Sequence, residues 1–226
     1  MKTIIKKVKL LPWTNPYVTD GLIAMWDGEW NAGIAKHDPT ATTWTDLVNG
    51  YIGVKAADTV QWLNKACSID NGYFIVEILP DSIKDAMNAD TFTWEVCRNY
   101  RSGTGQYTLL ASTDMRNEFW PTSSGTGCYL SWHSPSFTHY CSVDTRKAKE
   151  TNSFVIDGNT VTGYGSGALY STRHFTPDGT IIDASLELGS KRGITADIYS
   201  IRIYSRALST AEIAANYAID KMRFDL

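Results

Sequence analysis

The chain has little that would mark a membrane protein, a nucleic-acid binder or a metalloenzyme. No apolar run approaches the roughly eighteen residues that a bilayer span needs, so no membrane span is expected. Twenty-one lysines and arginines stand against twenty-four aspartates and glutamates, for a net charge of −3, which gives nucleic acid no field to follow. The one basic run, Lys2, Lys6, Lys7 and Lys9, reads as a solvated arm. In "MKTIIKKVKLLPW" the lysines interrupt the continuous apolar stretch that a secretory signal requires. The expectation is a chain that stays inside the cell until assembly, or a piece of something longer. Cysteine is scarce: Cys67, Cys97, Cys128 and Cys141 form no C-x-x-C pair and have no histidine at zinc-ligand spacing. If oxidised they allow three pairings. The missing signal favours free thiols, and Cys97, inside a strand pattern, reads as a small buried one.

Catalytic signatures are lacking too. There is no H-E-x-x-H, Walker loop or G-x-S-x-G. "GYGSG" (163–167) is a glycine cluster with no helix after it, so it reads as a loop. His37, His133, His139 and His174 are scattered without a partner pattern.

Aromatics and short alternating segments are plentiful, with eight tryptophans and twelve tyrosines. "DGLIAMWDGEW" gives an apolar run, Leu22 to Trp26, that ends at an Asp-Gly turn. "NGYFIVEIL" (71–79) predicts a strand with Phe74, Val76 and Ile78 on one side. "TFTWEVCR" predicts another, with Phe92, Trp94 and Val96 facing one way and Thr91, Thr93 and Glu95 the other. "QYTLLAS", "CYLSWH" and "ASLELGS" continue the pattern, and "SFVIDGNTVTGY" predicts a hairpin turning at 157–159. "PDSIKDAMNAD" shows little apolar periodicity and predicts one helical turn or two. Near the end, "ADIYSIRIYSRALSTAEIAANYAIDK" predicts a strand with Tyr199, Ile201 and Ile203 on one face and Ser200, Arg202 and Tyr204 on the other. A helix follows: Ser209 and Glu212 form a capping box, Leu208 and Ile213 a hydrophobic staple, and Lys221 and Arg223 suit its C-terminus. Many short strands without an internal repeat argue for an antiparallel sandwich.

Three stretches carry a resemblance: "DGLIAMWDGEWNAG", "TTWTDLVNG" and the closing "IYSIRIYSRALSTAEIAANYAIDKMRF". Together they resemble the laminin G-like, concanavalin A-like lectin and glucanase domains. The resemblance implies an all-β fold, a two-sheet antiparallel β-sandwich (jelly roll) with a short C-terminal helix packed against its rim. It divides the chain into an arm, residues 1–17, and one domain, residues 18–226. Similar sequences occur as binding and adhesion modules of bacterial surface or secreted proteins and in virion proteins of tailed bacteriophages; the basic arm fits the phage setting.

The glucanases of this fold carry alternating carboxylates, Glu-x-Asp-x-Glu, along one strand. Here Glu77, Glu95 and Glu187 are followed two positions on by Leu79, Cys97 and Gly189, so the expectation is that the chain is not an enzyme. Asp20, Asp27, Glu29 and Asp38 offer oxygen ligands for calcium. Asp20 and Asp27 sit where Asp-Gly turns form anyway; the turn reading is preferred over calcium, and neither a metal nor another cofactor is expected. Sugar binding needs an exposed ring beside planar polar groups. Residues 115–140 have these ingredients, and Trp120 (beside Pro121, in a predicted loop), His133 and Tyr140 are the candidate ligand-binding residues; Trp44 and Trp94 read as core. The expected role is a surface-displayed virion module that attaches through weak, multivalent glycan contacts. The alternative is a capsid or tail decoration subunit held to protein neighbours by its arm, with homo-oligomers compatible with either; a glycoside hydrolase, which needs a carboxylate pair in a cleft, is the third and least favoured reading.

Overall fold

A computed structural model describes residues 17–103, 110–112, 117–121, 128–132, 140–176, 181, 184–189 and 193–226. Within these, sixteen strands form two antiparallel sheets of eight. Sheet A contains β1 (Leu22–Asp27), β4 (Val60–Trp62), β5 (Cys67–Asp70), β7 (Thr91–Gly103), β12 (Lys149–Asp157), β13 (Thr160–Gly165), β14 (Ala168–His174) and β16 (Ile194–Tyr204). Sheet B contains β2 (Thr43–Thr45), β3 (Ile52–Lys55), β6 (Tyr73–Val76), β8 (Leu110–Ser112), β9 (Asn117–Pro121), β10 (Cys128–Trp132), β11 (Tyr140–Val143) and β15 (Leu186–Gly189). The order in sheet A is β14-β13-β12-β7-β16-β5-β4, with β1 also on β16; in sheet B it is β11-β10-β9-β8-β15-β6-β3-β2. This is the all-β, two-sheet antiparallel sandwich that the sequence implies.

The inner faces meet in one core. Trp26, Trp44, Trp94, Phe74, Phe92 and Phe154 are fully buried, and the Trp44 indole meets the edges of Trp62 and Phe74 at 5.3 and 5.6 Å. The predicted hairpin is present: Gly158, at φ +59°, and Asn159 join β12 to β13. β6 stops at Val76, so Ile78 lies beyond the pleat and is 83% exposed rather than inward. Between β6 and β7 lies helix α1 (Asp81–Asn88), whose Ile83, Ala86 and Met87 are buried. Those spacings of three and four are a helical period that the sequence reading missed. All four cysteines are unpaired and buried, and burial pushes each thiol up.

β16 organises sheet A. Its one edge pairs with β7; its other edge pairs first with β5, over Thr195–Ile198, then with β1, over Ser200–Tyr204. Tyr199 falls where the partner changes and is skipped in the register, Ile198 lying opposite Arg98 and Ser200 opposite Cys97. Its carbonyl accepts the Gly28 N–H at 2.8 Å. Such a bulge shifts the pleat by one residue. Ile194, Ala196 and Ile198, then Ile201 and Ile203, therefore belong to the core, while Ser200, Arg202 and Tyr204 face outward. Tyr199 does not share the face of Ile201 and Ile203, as strict alternation predicted.

The outward residues are not solvated either, because helix α2 (Thr210–Phe224) lies over them. The helix covers the outer face of sheet A rather than packing against the rim. Its capping box at Ser209 and Glu212 is complete, and Leu208 and Ile213 join a small outer cluster with Leu22, Val155, Tyr164 and Tyr204. At its other end Lys65 donates to the Arg223 carbonyl (2.8 Å), and Lys149 donates to those of Phe224 (2.6 Å) and Asp225 (3.0 Å). Two lysines thus bind carbonyls that the helix leaves unpaired.

Hydrogen bonds from Arg206 and from the Ser209 backbone pull the Glu212 carboxyl down from 4.5 to about 2. A carboxyl with a lowered folded pKa stabilises the fold above its unfolded pKa and loses that stabilisation as pH falls toward the folded one. Urea midpoints are therefore expected to fall between about pH 5 and about pH 2, and Glu212→Gln is expected to flatten part of that slope. An unchanged slope in the variant would remove Glu212 from the account.

Candidate functional site

Strands β9, β10 and β11 carry the residues that the sequence nominated. Trp120 lies in β9, not in a loop, and its backbone is paired with Tyr129 of β10. Tyr140 opens β11 opposite Ser131. The side chains of Trp120 and Tyr140, and all of His133, lie outside the described residues. The topology nonetheless places Trp120 and Tyr140 on the two strands flanking β10, one register row apart.

The faces of β10 and β11 follow from their own alternation. Cys128, Leu130, Cys141 and Val143 are buried in the core, so Tyr129, Ser131 and Ser142 belong to the opposite face. Tyr129 and Ser142 are directly paired and partly exposed. Ser131 is fully buried, and its Oγ has no hydrogen-bond partner among the described residues. The row through Ser131 runs on to Glu118 in β9, Ala111 in β8, Glu187 in β15 and Ile75 in β6. Neither Tyr129 nor Ser131 was nominated, although the alternation of "CYLSW" marks them as facing away from Leu130. The placing of Glu118 and Glu187 in one row, two strands apart, is a pairing between distant segments, and no pattern along a single strand reveals it.

The carboxylates weighed for calcium have other partners. Arg223 holds Asp27 through two contacts (2.7 and 3.1 Å) and Glu29 through a third (3.0 Å). Burial pushes the Asp27 carboxyl up, against the pull of Arg223. Asp38 accepts from the Thr40 N–H and hydroxyl at 2.8 and 2.7 Å, and Asp20 lies 2.9 Å from Arg206. Asp46, buried, accepts from the backbone N–H groups of Met25 (2.6 Å), Val48 (3.1 Å), Asn49 (2.7 Å) and Gly50 (3.0 Å) and so shapes the β2–β3 turn. Burial raises its pKa while those donors lower it. Beside it is a cleft of about 290 Å³ lined by Ile34, Lys36, Thr45 and Leu47 among others. Among the described residues no three metal-ligating side chains converge.

No protein-family model matches the chain, and no curated protein matches it. Solved structures do. A Trypanosoma rangeli sialidase in complex with sialic acid matches with a TM-score of 0.66 and 10% identity, over 94% of this chain and 34% of that one. The botulinum neurotoxin serotype D binding domain matches with a TM-score of 0.68 and 14% identity, over 90% of this chain and 53% of that one. The binding domain of botulinum neurotoxin DC, solved with rat synaptotagmin II, gives a TM-score of 0.65 and 12% identity, over 88% and 51%. The chain thus spans about a third of the sialidase and about half of the toxin structures it matches. At these identities the likeness is one of fold. It corrects one expectation: the absence of alternating carboxylates was read as showing that the chain is not an enzyme, but this sandwich occurs within a sialidase chain.

Proposed function

We propose that the chain is a surface-displayed glycan-binding sandwich of the laminin G-like, concanavalin A-like kind. Its binding face is the outer side of β9–β11, and Trp120, His133 and Tyr140 are its ligand-contacting residues. The observation that carries this reading is the register, which brings Trp120, Tyr129 and Tyr140 onto three adjacent strands. An aromatic ring stacks on the apolar face of a pyranose, while neighbouring hydroxyls exchange hydrogen bonds with it. The occurrence of this sandwich in the chain of a sialidase solved with sialic acid supports the same class of ligand. Display in many copies, on a virion or a cell surface, raises the avidity of a shallow site, and the arm ahead of Tyr17, itself buried against Arg202 and Asp220, supplies the attachment to neighbouring proteins.

The test is a glycan array that includes sialylated and neutral oligosaccharides, probed with the full chain presented multivalently, in calcium and in EDTA. Binding to a restricted set of glycans is expected. Trp120→Ala is expected to weaken it by about tenfold, with smaller losses for Tyr140→Ala and His133→Ala. EDTA is expected to leave binding unchanged, since Arg223 occupies Asp27 and Glu29. Binding that survives all three substitutions would move the site off this face, and silence on the array would end the reading.

A further inference from the structure

Among the described residues, α2 covers the outer face of sheet A as far as Phe224. Beyond the helix end, one register row runs Gln61–Ser68–Asp197–Asn99–Lys149 across β4, β5, β16, β7 and β12. The next row pairs Asp70 with Thr195, whose hydroxyl donates to Asp70 Oδ1 at 2.9 Å. Arg101 leans over the first row: its Nη2 donates to Ser68 Oγ at 2.6 Å and lies 3.2 Å from Asp197 Oδ1. Tyr199, packed on Phe224 with ring centroids 5.0 Å apart, forms the wall at the helix end.

Asp197 is the anomaly in this strip. It is 8% exposed. Its Oδ2 accepts from the Asn99 amide at 3.3 Å, but its Oδ1 has no hydrogen bond among the described residues, only the ion-pair contact with Arg101. A carboxylate withdrawn from water normally fills its acceptor positions, and at Oδ1 this one has only the charge contact with Arg101, in a row that is exposed at Gln61 and partly exposed at Asn99 and Lys149.

We infer that this strip is a second carbohydrate subsite, on the sheet opposite the β9–β11 face and independent of it, and that it takes vicinal hydroxyls of a neutral pyranose. Asp70 and Asp197 balance Arg101 and Lys149, so the strip favours neither an anion nor a cation. It offers what a diol needs: a carboxylate acceptor at Asp197, an amide with both functions at Asn99, and the Ser68 hydroxyl. A sugar hydroxyl donating to Asp197 Oδ1 completes that carboxylate's set, with Arg101 turning outward to donate to a ring or hydroxyl oxygen.

The experiment is a titration of the ¹⁵N-labelled full chain with methyl α-glucopyranoside, methyl α-galactopyranoside and methyl α-mannopyranoside, following backbone amide shifts. The expected result is saturable movement of the Ser68, Asn99 and Asp197 amides with at least one glycoside. Asp197→Ala is expected to weaken that response by about tenfold or more, and Trp120→Ala to leave it alone. Should Asp197→Ala fail to fold, the half-exposed Asn99→Ala and exposed Arg101→Ala carry the comparison. Amides that do not move with any of the three sugars, shifts confined to 117–143, or an affinity within twofold of wild type in a folded Asp197→Ala would each overturn the inference.

Discussion

Replacing Arg202 with methionine is expected to destabilise the fold by about 3–5 kcal/mol, which for a chain of this size lowers Tm by about 10 °C. Arg202 is fully buried between sheet A and α2. Its Nε donates to Glu95 at 2.9 Å, and its two terminal nitrogens grip Asp220 at 2.8 and 2.6 Å. The Tyr17 ring lies 4.0 Å from the guanidinium carbon. The carboxylates are themselves fully engaged: Glu95 accepts from Ser153 (2.9 Å) and Asn216 (2.7 Å), and Asp220 from Thr151 (2.7 Å) and Tyr17 (2.5 Å). Burial works against the guanidinium charge, but Asp220, Glu95 and Tyr17 outweigh it and hold it more firmly protonated than usual. Methionine keeps much of the volume and removes the only charge facing both carboxylates from β16, so two anions are left buried.

The size of that effect is a cost of breaking the set, not the worth of the set itself. A buried ion cluster replaced whole by neutral groups often loses little. Adding Glu95→Gln and Asp220→Asn to Arg202→Met is therefore expected to recover about half of the loss, read as urea midpoints in a mutant cycle. Hydrogen exchange gives the location: amides of α2 are expected to lose protection before those of β7, because Asp220 and Asn216 are the helix's polar attachments to the middle of the sheet. If Arg202→Met costs less than about 1 kcal/mol, the network is ornamental and the outer apolar cluster alone holds the helix.

This network also marks where the sequence stopped being readable. The alternation in "TFTWEVCR" and "DIYSIRIY" correctly marks the inner residues Phe92, Trp94, Val96, Ile201 and Ile203. It misleads about the other face, since Glu95 and Arg202 look solvated when only their own strands are considered. Their burial depends on α2, and the pairing of Arg202 with Asp220 brings together two elements that nothing local relates. The capping box and staple were legible because Ser209, Glu212, Leu208 and Ile213 lie within six residues of each other. The Tyr199 bulge was not, because it follows from β5 and β1 sharing one edge of β16. The β9–β11 face was half legible. Residue types nominated Trp120 and Tyr140, but only strand pairing sets them on either side of Tyr129 and Ser131, and strand pairing alone brings Glu118 and Glu187 into one row. The Asp197 strip was illegible for the same reason, its five strands coming from every part of the chain.

Trp44→Ala is the second large effect, expected at about 3–5 kcal/mol from lost burial and the cavity it leaves. The more discriminating comparison is between Trp44→Phe and Trp94→Phe. Both indoles are fully buried, and both substitutions remove the same atoms from the same core. They differ in one group: Trp44 Nε1 donates to the Asp27 carbonyl at 3.1 Å, whereas Trp94 Nε1 has no partner among the described residues. Losing the Trp44 donor leaves a buried carbonyl short of a bond at the end of β1, where Asp27 also anchors Arg223. Removing the Trp94 N–H relieves an unpaired buried donor. The two variants are therefore expected to differ by about 1–3 kcal/mol, with Trp94→Phe the milder. Equal costs in urea denaturation would show that cavity volume dominates at both sites and that the indole bond of Trp44 contributes nothing measurable. A milder Trp44→Phe would mean that the Asp27 carbonyl finds another donor once the ring is gone, and β1 would then be held to the β2–β3 turn by the bonds of Met25 with Asp46 and Leu47.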